Sequence, residues 1–234
     1  MRRVFRQILR FFAALLLLFA TVALARAMAS LGRAAGYWRM TPTLLGLLGA
    51  VAVFCLGFRW RLVYVFGHEL THWLAAKICR RRTGAFRFTR DGGYVAVDRP
   101  NLFITLSPYF VPLYSLVWIG LYGIYLAFAG MPSRGMEFTF AVGLGMTYGF
   151  HVAATVWVLS MGQQDLLHGG RVLSWAVILF GNAAILFLAV MVASGRWAGG
   201  MALFGACLRH QFRFLVQLVV FGWRFLAGLL QRAN

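Results

Sequence analysis

The sequence predicts an all-α polytopic membrane protein with about six transmembrane helices, interrupted once by a small β-hairpin. Three observations predict it. Hydrophobic residues make up 62% of the chain against 12% charged, with a mean hydropathy of +0.77, which leaves too little polar surface to cover a water-soluble globule. Apolar stretches long enough, or nearly so, to cross a bilayer recur along the 234 residues. Between the third and the fourth of them the pattern switches from helical to alternating.

The first stretch runs from about Ile8 to Ala25, behind Arg2, Arg3, Arg6 and Arg10. A basic start and an apolar core ending in Ala23-Leu24-Ala25 also fit a signal peptide. An uncleaved helix is preferred, because a chain with later spans needs no removable leader to reach the membrane. The second stretch runs from about Thr43 to Phe58, and the third, from about Trp60 to Ile78, carries ionisable residues in its middle. Ala85-Phe86-Arg87-Phe88-Thr89-Arg90 then alternates apolar with polar. Asp91-Gly92-Gly93 supplies a tight turn and Tyr94-Val95-Ala96-Val97 returns with strand formers, which predicts a hairpin over 85–97. The fourth stretch, from about Leu102 to Ala129, holds Pro108 and Pro112 and is expected to kink. The fifth covers about Phe138 to Ser160 and the sixth about Val172 to Ala193. In the C-terminal segment, Arg209, Arg213, Gln217, Arg224 and Gln231 share one helical stripe, against a face of Phe214, Leu215, Val219, Phe225 and Leu229. That is an amphipathic helix, expected in the interface on anionic headgroups, with docking on a partner protein as the alternative. The organisation is therefore a basic segment and first helix over 1–41, a membrane core over 42–194 and the amphipathic helix over 195–234, with no repeat and no Pro-, Gly- or Ser-rich linker.

The net charge is +18, from 23 Lys and Arg against five acids, and Lys77 is the one lysine. In a soluble protein this would suggest nucleic acid. Here the arginines cluster at span ends, where they anchor to anionic lipid and set topology, and no aromatic-interleaved basic motif of a nucleic-acid module is present. Cys55, Cys79 and Cys207 are odd in number and scattered, so neither a disulfide framework nor a thiolate metal site is indicated.

The third stretch contains His68-Glu69-Leu70-Thr71-His72. On a helix, positions i and i+4 share a face, so both imidazoles can reach one divalent cation while Glu69 stands beside its open position. With five His and two Glu in the chain, a chance H-E-x-x-H is on the order of a one-in-a-thousand event. Ionisable groups inside an apolar helix are costly, and this spacing names zinc as their partner.

A third protein ligand must come from elsewhere. Asp91 and Asp98 lie in or next to the hairpin, and Glu137 opens the fifth span as a solvated N-terminal acid. Asp165 remains, in Gln163-Gln164-Asp165-Leu166-Leu167-His168-Gly169-Gly170-Arg171, a polar break that lets a carboxylate enter from a helix end. Asp165 is the leading candidate and His168 its rival. His151, alone on the fifth span, reads first as a helix-packing contact and second as a group orienting a metal ligand. His210 belongs to the amphipathic segment. Beside the metal, the hairpin is either a plain connector or a sheet edge that holds a substrate segment extended, since helical peptide bonds are hidden from a nucleophile.

HELTH in an apolar helix, the hairpin behind it and the Asp165/Gly169-Gly170-Arg171 segment together resemble the site-2 protease family of intramembrane zinc metalloproteases, over roughly residues 60 to 180. The resemblance implies His68 and His72 as zinc ligands and Glu69 as general base. It implies a third ligand from a motif of L-D-G-G-R type. Leu167-His168-Gly169-Gly170-Arg171 places His168 at that aspartate, whereas Gln164-Asp165 looks like a Q-x-D variant of divergent bacterial members. Ser107-Pro108-Tyr109-Phe110-Val111-Pro112 also looks like that branch. The implied protein is an integral enzyme of a bacterial inner membrane, an endopeptidase cutting a membrane-anchored protein, with Zn2+ as its cofactor and room for an accessory subunit. A catalytically silent relative that binds membrane helices, and a metal transporter, are the alternatives. The basic N-terminus argues for a cytoplasmic start, yet three crossings would then put Lys77, Arg80, Arg81 and Arg82 outside. The resemblance places the end of the HELTH helix on the cytoplasmic side, so one of the first two apolar segments is expected to fall short of spanning.

Overall fold

The computed structural model describes residues 2–35, 40–194 and 197–233, with side chains over 4–33, 40–191 and 199–224. The expectations placed on Arg2, Arg3, Phe225, Leu229 and Gln231 concern side chains outside that set. Helix α1 (Arg2–Ala35) is followed by α2 (Thr41–Cys55) and α3 (Arg61–Ile78), then strands β1 (Thr83–Phe88) and β2 (Gly93–Val97). Next come α4 (Leu102–Leu106), a 3-10 turn over Ser107–Tyr109, α5 (Leu113–Ala129) and α6 (Arg134–Ser160). A single turn α7 (Asp165–His168) leads into α8 (Arg171–Ser194) and α9 (Trp197–Ala233). The described residues are all-α apart from one two-stranded sheet.

Leu, Ala, Phe and Val without Pro carry α1 as one 34-residue helix, longer at both ends than its apolar core suggests. Its Leu24, Ala27 and Leu31 pack on Ala183, Phe187 and Met191 of α8, and Leu203, Phe204 and Cys207 of α9 close that cluster. Helices α2 and α6 touch backbone to backbone. A Cβ added at Gly46 would strike the Val142 carbonyl, and one at Gly145 the Thr43 carbonyl. This is the small-residue packing that lets helices associate in lipid, where apolar surface alone gives no drive. Helix α5 lies on α6 through Tyr122 stacked at 3.9 Å on Phe140, and Trp118 Nε1 donates to the Phe140 carbonyl at 3.0 Å.

Among the described residues, three helical segments, Val4–Arg33, Arg134–Ser160 and Arg171–Met191, are long and apolar enough to cross a membrane. They mark an integral membrane protein, and Phe5, Phe12, Leu16, Ile124 and Phe128 present apolar side chains outward as lipid contact requires. A fourth span counts if Leu102–Tyr109 and Leu113–Ala129, bent by 75°, are taken together. Of the six spans expected, three or four are long and apolar enough among the described residues. The second expected span is a helix of 15 residues, about 22 Å long and short of a hydrocarbon core of about 30 Å. The third carries Arg61, Glu69 and Lys77 within 18 residues. The fourth is broken where Pro108 and Pro112 remove backbone donors.

The strands pair antiparallel, with Phe86 opposite Val95, Arg87 opposite Tyr94 and Phe88 opposite Gly93. Phe66 of α3 clamps them, its ring 6.3 Å from Phe86 and 5.0 Å from Phe88. Thr89 N–H donates to the Gly92 carbonyl, so the pairs alternate from there and Phe86/Val95 is a non-hydrogen-bonded pair. Val95 therefore turns its N–H and C=O to the free edge of β2.

Candidate metal centre

Helix α3 presents His68 and His72 on one stripe, their ring centroids 4.8 Å apart. Asp165, from the far turn α7, meets them. His68 Nε2 lies 3.9 Å and His72 Nε2 3.8 Å from Asp165 Oδ2. The three side chains offer donor atoms all within 4.8 Å of one another, the one such group of metal-ligating residues among those described.

Neighbours fix each donor. Tyr64, one turn before His68, places its hydroxyl 3.0 Å from His68 Nδ1. His72 Nδ1 donates to the Ile104 carbonyl at 2.8 Å, which commits Nε2 to the cluster. That carbonyl, which also accepts from Ser107 Oγ at 3.1 Å, lacks its helical N–H for a reason written in the sequence. Its helical donor would be residue 108, and Pro108 has no N–H. The same break turns Tyr109, fully buried, so that its hydroxyl donates to Asp165 Oδ2 at 2.7 Å. Asn182 of α8 donates to the Tyr109 carbonyl at 2.9 Å and holds the break in place. On the other side, Ser174 Oγ donates to the Leu166 carbonyl at 2.9 Å, and Gly170, at φ +86°, makes the turn that brings α7 back over α3.

Glu69 is 7% exposed, with its carboxylate within hydrogen-bonding reach of the Val95 N–H. Strand β2 comes this close because residue 93 is glycine: a Cβ there would sit 2.7 Å from Glu69 Cγ and 2.8 Å from the Arg87 carbonyl. The free edge of β2 thus borders the glutamate beside the histidines.

Of the candidates for third partner, Asp165 joins the cluster and His168 does not. The one turn of α7 buries Leu166 and aims Asp165 at α3, leaving His168 exposed on its outer side. Asp98 lies on the surface, 3.9 Å from Arg99, Asp91 is in the hairpin turn, and Glu137 is in the first turn of α6. His210 is exposed on α9. Four contributors escaped the sequence reading: Tyr64, the Ile104 carbonyl, Tyr109 and Asn182. Tyr64 had a signal in its i to i+4 spacing from His68. The others depend on the α4 break, which no periodicity reveals.

The donor set fits zinc. Two imidazole nitrogens and a carboxylate oxygen, each steadied by a hydrogen bond behind it, are the ligand types and outer contacts that zinc sites use. Tetrahedral bonds of about 2.0–2.2 Å set donors roughly 3.3–3.6 Å apart. The two histidine–aspartate spacings need close by only about a few tenths of an ångström, and the widest pair, within 4.8 Å, by up to about 1.2 Å or slightly more. Tyr109→Phe removes the contact on Asp165 without adding bulk. It is expected to weaken zinc binding about 10–100-fold while the helical circular dichroism stays unchanged, as measured by competition with a chromogenic chelator.

No family model, curated protein or solved structure matches the chain. The assignment therefore rests on this geometry alone.

Proposed function

We propose that the protein is an intramembrane zinc endopeptidase of the site-2 protease kind, hydrolysing a peptide bond of a membrane-anchored protein. The observation that carries this reading is the convergence of His68, His72 and Asp165 beside a buried Glu69, in a chain with membrane-spanning helices. His68 and His72 would hold zinc through Nε2 and Asp165 through Oδ2. Bound there, zinc supplies Lewis acidity, bringing the pKa of water towards about 7 and polarising a carbonyl.

The rest is the work of the chain. Glu69, next to the cluster, takes the proton of the attacking water and hands it to the leaving amine. Tyr64, the Ile104 carbonyl and Tyr109 keep the ligands from rotating away. The free edge of β2 suits a substrate segment drawn out of its helix, because Val95 turns backbone hydrogen-bonding groups towards Glu69 and an extended peptide exposes the bond to be cut. Anionic headgroups against the arginine-rich span ends, and the exposed apolar residues Phe214, Leu215 and Val219 of α9, fit residence in a bacterial inner membrane.

The test is metal removal from the reconstituted full chain. Purified protein is expected to carry about one zinc per chain, as one tetrahedral site requires. Stripping with a chelator abolishes cleavage of a membrane-anchored substrate, and zinc restores it. Cleavage that survives complete stripping would sink the proposal.

A further inference from the structure

Helix α3 has two flanks around the metal cluster, and only one is used so far. Glu69 faces the hairpin. On the opposite flank Tyr64, Gly67, His68 and Thr71, spaced i, i+3, i+4 and i+7, border a cavity of about 20 Å³ closed by Tyr114 of α5 and His151 of α6. A single water needs roughly 10–15 Å³ and two to four polar partners, so this volume suits water and is far too small for a substrate side chain.

The polar groups around it are short of donors. Tyr114 gives its hydroxyl hydrogen to the Val63 carbonyl, and Thr71 gives its own to the Gly67 carbonyl at 2.7 Å. Both oxygens keep only lone pairs. His151 Nε2 is buried and has no hydrogen-bond partner among the described residues. Asn182 spends its two N–H groups on the Tyr109 and Ile178 carbonyls, each at 2.9 Å, so it has no donor left for His151. With the ring proton on Nδ1, the unpartnered Nε2 is an acceptor. A buried acceptor left unmatched costs about 1–3 kcal/mol, and a molecule with two O–H donors removes that cost.

We propose that this cavity is a water-holding site opening onto the metal centre beside His68, on the flank opposite the hairpin, with His151 as its positioning residue. Its use in hydrolysis rests on the protease reading; the water site itself does not. Substrate then approaches on the β2 side and water is stored on the α6 side, so a docked peptide does not block the supply of water. A ring protonated on Nδ1 accepts a water hydrogen at Nε2 and has no donor there for an oxyanion.

The test is hydroxyl-radical footprinting by X-ray radiolysis of the full chain in lipid nanodiscs, which oxidises side chains touching bound water. Tyr64 and Phe150, which line the cavity, are expected to be labelled in the wild type and in His151→Gln, which keeps an acceptor, and to fall to background in His151→Leu. Turnover should follow, with kcat lowered about 10–100-fold in His151→Leu, KM and zinc content unchanged, and recovery in His151→Gln. Wild-type protein without label at Tyr64 and Phe150 overturns the proposal whether or not any variant folds. So does a His151→Leu protein labelled like the wild type. A labelled wild type that cleaves nothing overturns the protease reading and leaves the water site standing.

Discussion

Glu69→Gln is expected to retain stoichiometric zinc and to lose cleavage of a membrane-anchored substrate. Glutamine keeps the size of the side chain and an oxygen for the Val95 N–H, so β2 stays where Gly93 lets it rest. The donors on His68, His72 and Asp165 are untouched. What disappears is a group able to take a proton, and general-base catalysis is worth about 10²–10⁴ in rate. Zinc is read by elemental mass spectrometry of the purified protein and cleavage by gel shift in liposomes. The variant also separates the alternatives. A catalytically silent helix binder would keep all its function in Glu69→Gln, and a transporter would keep its zinc flux. A transporter further needs ligands at successive depths, and the described residues hold one such group. Unchanged cleavage would remove Glu69 from the reaction. In cells carrying the variant, membrane proteins that accumulate uncut identify the substrate.

The metal centre was legible in the sequence where it depends on local spacing. HELTH announces two ligands because four residues of helix bring two side chains to one face, and scarcity of acids narrows the third to the break containing Asp165. The hairpin was legible from alternation and its Asp91-Gly92-Gly93 turn. The contacts that orient the ligands were hidden, since they arise where a helix fails. Pro108 frees the Ile104 carbonyl and Tyr109 swings onto Asp165, yet from sequence the same residues read as an ordinary kinked span. Span count outran what the described helices support, for a related reason. Hydropathy sees apolar composition but not where a helix stops or bends, so α2, the charged α3 and the bent pair each counted as one crossing. His168 drew attention through its place before Gly169-Gly170, while the direction of one helical turn brings Asp165 and not His168 to the cluster.

That decision has a measurable consequence. Asp165→Asn is expected to lower zinc affinity by more than the roughly 100-fold that loss of an outer contact costs, while His168→Asn leaves it within about two-fold. Asparagine preserves shape and an acceptor for Tyr109, so the difference is charge. With Asp165 the site holds a dication and one carboxylate beside neutral imidazoles. In the Asp165→Asn protein the full double charge sits among apolar helices, and an uncompensated charge in such surroundings costs several kcal/mol. Competition with a chromogenic chelator gives the two affinities on the same scale. The reverse ranking would transfer the third ligand to His168 and require α7 to rotate by about a sixth of a turn and slide by about 4.5 Å, since residues i and i+3 of a helix lie roughly 60° apart. That rotation would pull Leu166 from its cluster with Leu106, Tyr109, Val158 and Ile178, and burying a leucine is worth about 1.5–3 kcal/mol. The packing of Leu166 and the charge of Asp165 therefore favour the same orientation of α7, and the ranking of the two variants reads both at once.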